Sequence, residues 1–302
     1  MRGCVGVRQA ARVLGVQRGT VSNKIMRLSR QVMAMHAGIL EELQLKEDLT
    51  ADGLASYWVS QYMPNNFNVL LGAESRFLFD WDAVTMRRSG GMTEGQKQRR
   101  EELEKQYKAD PKGVQDSFGR LIDTAVDLIG RSEQSRIVWT TDEHHAYTRA
   151  FGEHAGWKAL VEAERVSNRR VSSRRARTEK NPLSPVNIFD RQVRNDMAEH
   201  VRETIRFARN CCHSRERFVV NMFGYNYVKP LRVNQPAGDR RTHAEAAGVR
   251  PELVRQRVRR MFTQRAFLTR TALHPPMKEL WLRAKRTPLK EGPEYLPAYL
   301  EA

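Results

Sequence analysis

Cysteine is scarce. The chain holds three in 302 residues, with Cys4 alone and Cys211 directly beside Cys212. Adjacent cysteines cannot form the CxxC knuckles of a zinc site, and three are too few for a disulfide framework, so a reducing cytoplasm is the expected setting. No run of about 18 apolar residues occurs, and the first residues carry no apolar stretch of the signal-peptide kind, so neither a membrane span nor a leader is expected. Internal repeats are absent. Acidic residues are in short supply: 35 Asp and Glu face 52 Lys and Arg, a formal charge of +17. An excess of that size favours a polyanionic partner, nucleic acid first, over the generally basic soluble protein that is its plain alternative. The length suffices to bury a sizeable core and suggests one large domain with accessories.

Near the N-terminus, residues 8–30 have helix-turn-helix spacing. Ala11 lets two helices approach, Gly15 makes the turn and Val21 packs the second helix on the first. Val13, Leu14, Val16, Ile25 and Leu28 are expected to supply a small core. Thr20, Ser22, Asn23, Lys24 and Arg27 then fall on or beside the groove-facing surface of the second helix. A plain helical hairpin is the alternative. A connecting helix is expected over 31–45.

Further on, strands are expected at 47–52, ending in Asp52, at 67–72 and at 76–86, where Phe77, Phe79 and Trp81 alternate with Leu78, Asp80 and Asp82. Pro64-Asn65-Asn66 reads as a turn, so the three strands suggest an antiparallel meander. Residues 93–108 form a charged helical excursion. Residues 116–129 are amphipathic, with Phe118, Leu121, Ile122, Ala125, Val126 and Ile129 on one stripe. Ile137, Val138 and Trp139 make a short buried strand that runs out at Asp142. A carboxylate there can serve as a metal ligand at a sheet edge, or Asp142 or Thr141 can cap the helix expected from Ala146 to His154, stopped near Gly156. A further strand is expected around 159–166.

A basic loop begins at Arg165. Arg165, Arg169, Arg170, Arg174, Arg175, Arg177 and Lys180 face almost no acid, with Ser and Asn interspersed. Solvated charge runs usually mix signs, so a single sign points to phosphate contact with steep salt dependence. Pro182 and Pro185 break the chain, and a long helix from Asn187 to Ala208 is expected, with Asp190 near its start either as cap or as a third metal-binding acid. Glu199 and Glu203 are the competing acids deeper in that helix. Helices are also expected at 215–225, at 242–262, which is basic, and at 268–284, with a loose tail from Arg286.

Five stretches carry a resemblance: 10–30, 50–57 (Thr-Ala-Asp-Gly-Leu-Ala-Ser-Tyr), 141–147 (Thr-Asp-Glu-His-His-Ala-Tyr), 181–191 and 199–210. Their order, with Asp52, Asp142 and Asp190 spaced 90 and 48 residues apart, resembles the bacterial insertion-sequence transposases of the DDE type. The resemblance implies an α/β fold: a ribonuclease-H-like mixed sheet flanked by helices over 46–230. An all-α helix-turn-helix module over 1–45 would precede it and a basic helical C-terminal region over 231–302 follow. In that architecture the first and fourth strands lie side by side and carry carboxylates. It also implies Asp52, Asp142 and Asp190 as catalytic metal-binding acids, with Glu199 as the alternative third, and two Mg²⁺ (or Mn²⁺) ions. Double-stranded DNA, both element ends and target, would be the partner, bound by a homo-oligomer at the nucleoid, with no membrane involved. His144 and His145, flanking the second acid, read as ordinary surface histidines. A helix-turn-helix regulator without catalysis, or an inactive transposase relative, would share many of these features.

Overall fold

The computed structural model describes residues 5–201, 206–232 and 240–290. Cys4 and Glu203 lie outside them. Helix α1 (Val7–Val13) and helix α2 (Arg18–Glu42) form a hairpin. Gly15 takes φ +64 at the turn, a conformation that favours glycine. The hairpin core is Ala10, Ala11, Val21 and Ile25, with Val5, Val7 and Val220 packed against it. Val13, Leu14 and Val16 are 78%, 67% and 42% exposed, so they are not the core residues expected. The small side chains of Ala10 and Ala11 set the close approach, and the larger residues are left at the tip of the reversal. Leu28 packs on the main core instead. No connecting helix begins at Gln31. No glycine or proline interrupts residues 20–37, and α2 runs on as one 25-residue helix.

Strands β1 (Leu49–Tyr57), β2 (Pro64–Gly72) and β3 (Leu78–Thr85) form the antiparallel meander. β1 continues past Asp52, and β2 begins at Pro64, so Asn65 and Asn66 are buried strand residues and not a turn. Helix α3 (Glu94–Glu104) opens with a capping box on Thr93 and is largely exposed. Helix α4 (Gly113–Gly130) buries Phe118, Leu121, Ile122, Ala125 and Ile129 on the expected stripe. Strand β4 (Ile137–Asp142) follows, then helices α5 (His145–Glu153) and α6 (Ala155–Glu162). Gly156 stops nothing. The chain bends at His154, whose ring accepts from the Trp157 amide at 3.1 Å and caps α6.

Strand β5 (Val166–Val171) lies within the segment expected to be a basic loop, not at 159–166, whose first half closes α6. The sheet order is β3-β2-β1-β4-β5, with β1–β4 and β4–β5 parallel. β5 is therefore an edge, and its exposed Arg169 and Arg170 discourage pairing with another sheet.

Helix α7 (Ser184–Asp196) starts with Pro185 in its first turn, a position where proline costs nothing. It ends well before the expected Ala208, because Met197 is extended and a 3₁₀ turn (Ala198–His200) follows. Helix α8 (Cys211–Tyr227) then packs against α2 and β3. The expected basic helix over 242–262 is two helices, α9 (His243–Ala246) and α10 (Pro251–Thr263), separated at Gly248 with φ +95. Helix α11 (Pro275–Leu282) is the last among the described residues. Thr287, in the stretch expected to be loose, is buried and accepts from the Cys211 amide at 2.9 Å.

Helices cover both faces of the sheet. On one face, Phe118, Trp139, Tyr147, Phe151 and Trp157 stack with centroids 4.1–5.6 Å apart. On the other, Phe67, Trp81, Phe189, His200 and Phe218 pack with centroids 4.7–6.1 Å apart under α7 and α8. The core is continuous from Val32 to Trp281, so α8 to α11 pack on the same apolar mass as the sheet. Charge is buried with it. Asp82 on β3 accepts from Arg215 at 2.8 Å, both fully buried, and from Arg120. Burial alone would raise that carboxyl, but Lys285, Arg215 and Arg120 hold it below its ordinary value.

Candidate active site

The register of β1 and β4 places two acids together. Leu49 pairs with Trp139 and Thr50 with Thr140. Two residues further along each strand come Asp52 and Asp142. Alternation puts both on the sheet face covered by α7, since the neighbouring β2 partner of Asp52 is Val69, on the same side as Phe67. Helix α7 brings Asp190 to that face. Asp190 is the seventh of thirteen helical residues, and the helix cap is Leu183, so the capping role considered for Asp190 falls away. Asp142 is not the α5 cap either: His144 is, accepting from the Ala146 amide, while Asp142 Oδ1 accepts from the His144 amide at 2.9 Å.

The three acids share one electrostatic neighbourhood. Asp52 is half-buried, and its carboxyl is pushed up to about 7, first by burial, then by the charges of Asp142 and Asp190. The amide of Gly53, donating to Asp52 Oδ1 at 2.7 Å, and the guanidinium of Arg177 oppose that shift. Carboxylate oxygens crowded until one is held near neutrality are suitable donors for a hard divalent cation, whose charge would relieve the repulsion. Among the described residues no group of three or more His, Cys, Asp or Glu side chains is set to hold a metal ion by itself. Mg²⁺ seldom needs one, since it is commonly held by one or two carboxylates, water and substrate phosphate.

Glu199 lies elsewhere. It sits in the 3₁₀ turn, accepts from Arg217 Nε at 2.9 Å and Ser214 Oγ at 2.8 Å, and lines a cleft of about 620 Å³ between α1 and the start of α8. Both of its carboxylate oxygens are engaged there.

The basic residues divide in two. Arg165 is committed to the fold, donating to the Ile129 and Ser132 carbonyls at 3.1 and 2.9 Å, which closes the end of α4. Arg169 and Arg170 lie exposed on β5, and Arg174, Arg175, Arg177 and Lys180 lie exposed on the loop after it. Of these, Arg177 is within electrostatic reach of Asp52. On the hairpin, Thr20, Asn23, Lys24 and Arg27 are exposed and Ser22 is half-buried. His145 is exposed and its ring stacks on half-buried His144, with centroids 4.6 Å apart.

Sequence reasoning missed the polar layer behind Asp52. Asn66 and Asn68 of β2 are buried there with Ser117 and Tyr147. The amide of Asn66 lies against Gly53, where a Cβ would collide with it. The one available signal was three asparagines, Asn65, Asn66 and Asn68, at the head of an otherwise apolar stretch.

No protein-family model matches the chain, and no curated protein does. Among solved structures, a chain in the cryo-EM structure of the simian T-cell lymphotropic virus intasome in complex with PP2A regulatory subunit B56 gamma aligns at 11% identity and a TM-score of 0.35. That alignment covers 68% of this chain and 55% of the other, so this chain spans about half the length of the one it matches, and a likeness this distant bears no weight in assigning a function.

Proposed function

We propose that the chain is a transposase of the DDE type, cutting and joining DNA strands on a ribonuclease-H-like sheet. The observation that carries the reading is the electrostatic coupling of Asp52 to Asp142 and Asp190, three acids delivered to one face by β1, β4 and α7. The sheet order, with a three-strand meander followed by two parallel strands and with both strand acids on the adjacent central pair, supports it.

In this reading Asp52, Asp142 and Asp190 would hold Mg²⁺ or Mn²⁺, two ions in the full site. When bound, these supply positive charge opposite the phosphoryl oxygens during transfer. Arg177, beside the acids, orients a backbone phosphate, and Arg169, Arg170, Arg174, Arg175 and Lys180 extend the grip along the strand. Arg165 drops out of that group. Thr20, Ser22, Asn23, Lys24 and Arg27 of the hairpin read the sequence at an element end. The partner is double-stranded DNA, element end and target in turn, with the protein acting as a homo-oligomer on it. That would place the protein at the nucleoid; among the described residues no helix is long and apolar enough to cross a membrane.

The test is nicking of a supercoiled plasmid bearing the element end, with Mg²⁺ or Mn²⁺ and with chelator. Metal-dependent nicking that is lost in Asp142→Asn supports the enzyme. Binding of that DNA with no nicking assigns the chain instead to the inactive relatives or to regulators built on a helix-turn-helix.

A further inference from the structure

Two buried asparagines on one face of a central strand are costly, since valine or leucine would fill the same space without an amide to satisfy. Here the amides are engaged. Asn66 Nδ2 donates to Asn68 Oδ1 at 2.7 Å, and Asn68 Nδ2 donates to Ser117 Oγ at 2.9 Å. Tyr147 Oη donates to the same Asn68 Oδ1 at 3.0 Å. Tyr147 is 3% exposed, and Asn68 and Ser117 are fully buried. Burial and the nearby acids Asp52, Asp142 and Asp190 keep the phenol protonated, so it stays a donor.

The network joins the two strand acids from behind. Tyr147 belongs to the first turn of α5, which leaves the sheet straight after Asp142. Asp142 accepts from the His144 amide, and the His144 ring packs on Tyr147 with centroids 5.1 Å apart. At the other end, Asn68 pairs in register with Gly53, and Asn66 rests on the same glycine, the residue whose amide holds Asp52. A continuous path therefore runs from Asp142 through His144, Tyr147 and the asparagine pair to the Asp52–Gly53 backbone.

We propose that Tyr147, with Asn66 and Asn68, is a positioning residue that fixes the spacing of Asp52 and Asp142 for divalent-cation binding. This rests on the three-acid reading above. Tyr147 touches neither ion nor DNA. It acts by tying the helix that follows one acid to the strand pair that carries the other.

The test uses the full chain, stripped of metal, with Mn²⁺ alone as probe and the free-ion electron paramagnetic resonance signal as readout. Tyr147→Phe keeps the ring and its stacking on Phe118, 4.1 Å between centroids, and removes only the hydroxyl. It should weaken Mn²⁺ binding about tenfold, as loss of a supporting hydrogen bond behind metal ligands typically does. Ile129→Val trims the same core at the far end of α4, outside the hydrogen-bonded network, and controls for general loosening; it should bind Mn²⁺ within about twofold of wild type. Asp52→Asn marks the site by abolishing the signal change. Wild-type affinity in Tyr147→Phe overturns the proposal while leaving the acids in place. Equal weakening in Ile129→Val overturns it too, because the effect is then core loosening. Absence of Mn²⁺ binding by the wild type overturns the three-acid reading itself and the positioning role with it.

Discussion

Thr50 of β1 pairs with Thr140 of β4, and that single register sets Asp52 level with Asp142 on neighbouring parallel strands. Strands in such a pair lie about 4.8 Å apart, close enough for two carboxylates to repel strongly and for cations to bridge them. Asp142→Asn should keep the fold and DNA binding but lower metal-dependent nicking at least about a hundredfold, the scale of losing one preorganised charge-stabilising group. Asp190→Asn should do likewise. Glu199→Gln should nick as well as wild type, since Glu199 is paired with Arg217 away from the acids. A supercoiled-plasmid assay ranks the wild type and all three variants. Nicking by Asp142→Asn at the wild-type rate would remove these residues from the mechanism.

Asp52 predicts a gain in stability on mutation. Its folded-state value, about 7, lies above the ordinary 3.8, so the folded protein holds that proton more tightly than the unfolded chain does. Stability from this group is present below pH 3.8 and is lost as pH rises through 7. Asp52→Asn should therefore raise the melting temperature of the metal-free protein at pH 8, by the equivalent of about 1–2 kcal/mol once solvent screening is allowed for, and have little effect at about pH 4. Thermal melts at both values check the sign.

The basic loop should contribute affinity without discrimination. Replacing Arg174, Arg175 and Arg177 with alanine should reduce the slope of log K against log salt by about 2 to 3, near 0.9 for each phosphate left without its arginine. The loss should be similar for element-end and random DNA. Asn23→Ala with Lys24→Ala should instead narrow the difference between the two sequences. Fluorescence anisotropy titrations at several salt concentrations separate these outcomes.

His36 gives a pH dependence of opposite sign to that of Asp52. It is buried between the Tyr227 hydroxyl, 2.6 Å from Nδ1, and the Phe79 carbonyl, 2.8 Å from Nε2. Burial lowers its value from 6.5 to about 4, so the unfolded chain takes up a proton first. Its contribution is whole above pH 6.5 and is lost as pH falls toward 4, to the extent of about 3 kcal/mol. His36→Gln should flatten the fall in urea-unfolding stability between about pH 6.5 and 4.5. His200, His213 and His243, also lowered to about 4 chiefly by burial, add to the slope.

Some of this was legible in the residues and some was hidden for physical reasons. β4 shows itself because Ile137, Val138 and Trp139 are β-formers running into an acid, and α4 because its apolar residues recur at helical spacing. Gly15 announces a turn that only a positive φ can make. β5 is hidden because an edge strand buries little: only Val166 and Val171 are covered, and four polar residues between them look like loop. The far half of β1 is hidden by Gly53 and Ala55, poor strand formers held in place by pairing with β2. The position of Asp190 depended on where α7 begins, and Pro185 fits inside a first turn as readily as it breaks a chain. The end of α7 carries no glycine or proline, so nothing in the sequence marked Asp196 as its last residue. The hairpin core was legible in part: Ala11, Val21 and Ile25 lie in it as expected, while Val13, Leu14 and Val16 stay at the tip of the reversal because the small side chains of Ala10 and Ala11 make the close approach to α2.

Helix α2 has a thermodynamic consequence of its own. It is unbroken from Arg18, at the exposed hairpin, to Glu42, and its second half buries Val32, Met33, Met35, Ile39 and Leu40 in the main core. About 37 Å of continuous helix thus joins the surface proposed to read sequence to the sheet proposed to cut, with no flexible joint between them. The orientational entropy of bringing those two parts into a fixed relation is spent when the chain folds, not when it meets DNA. The second contact then forms at the full effective concentration of a rigid body, and the offset between a recognised sequence and a cut site becomes a fixed property of the fold.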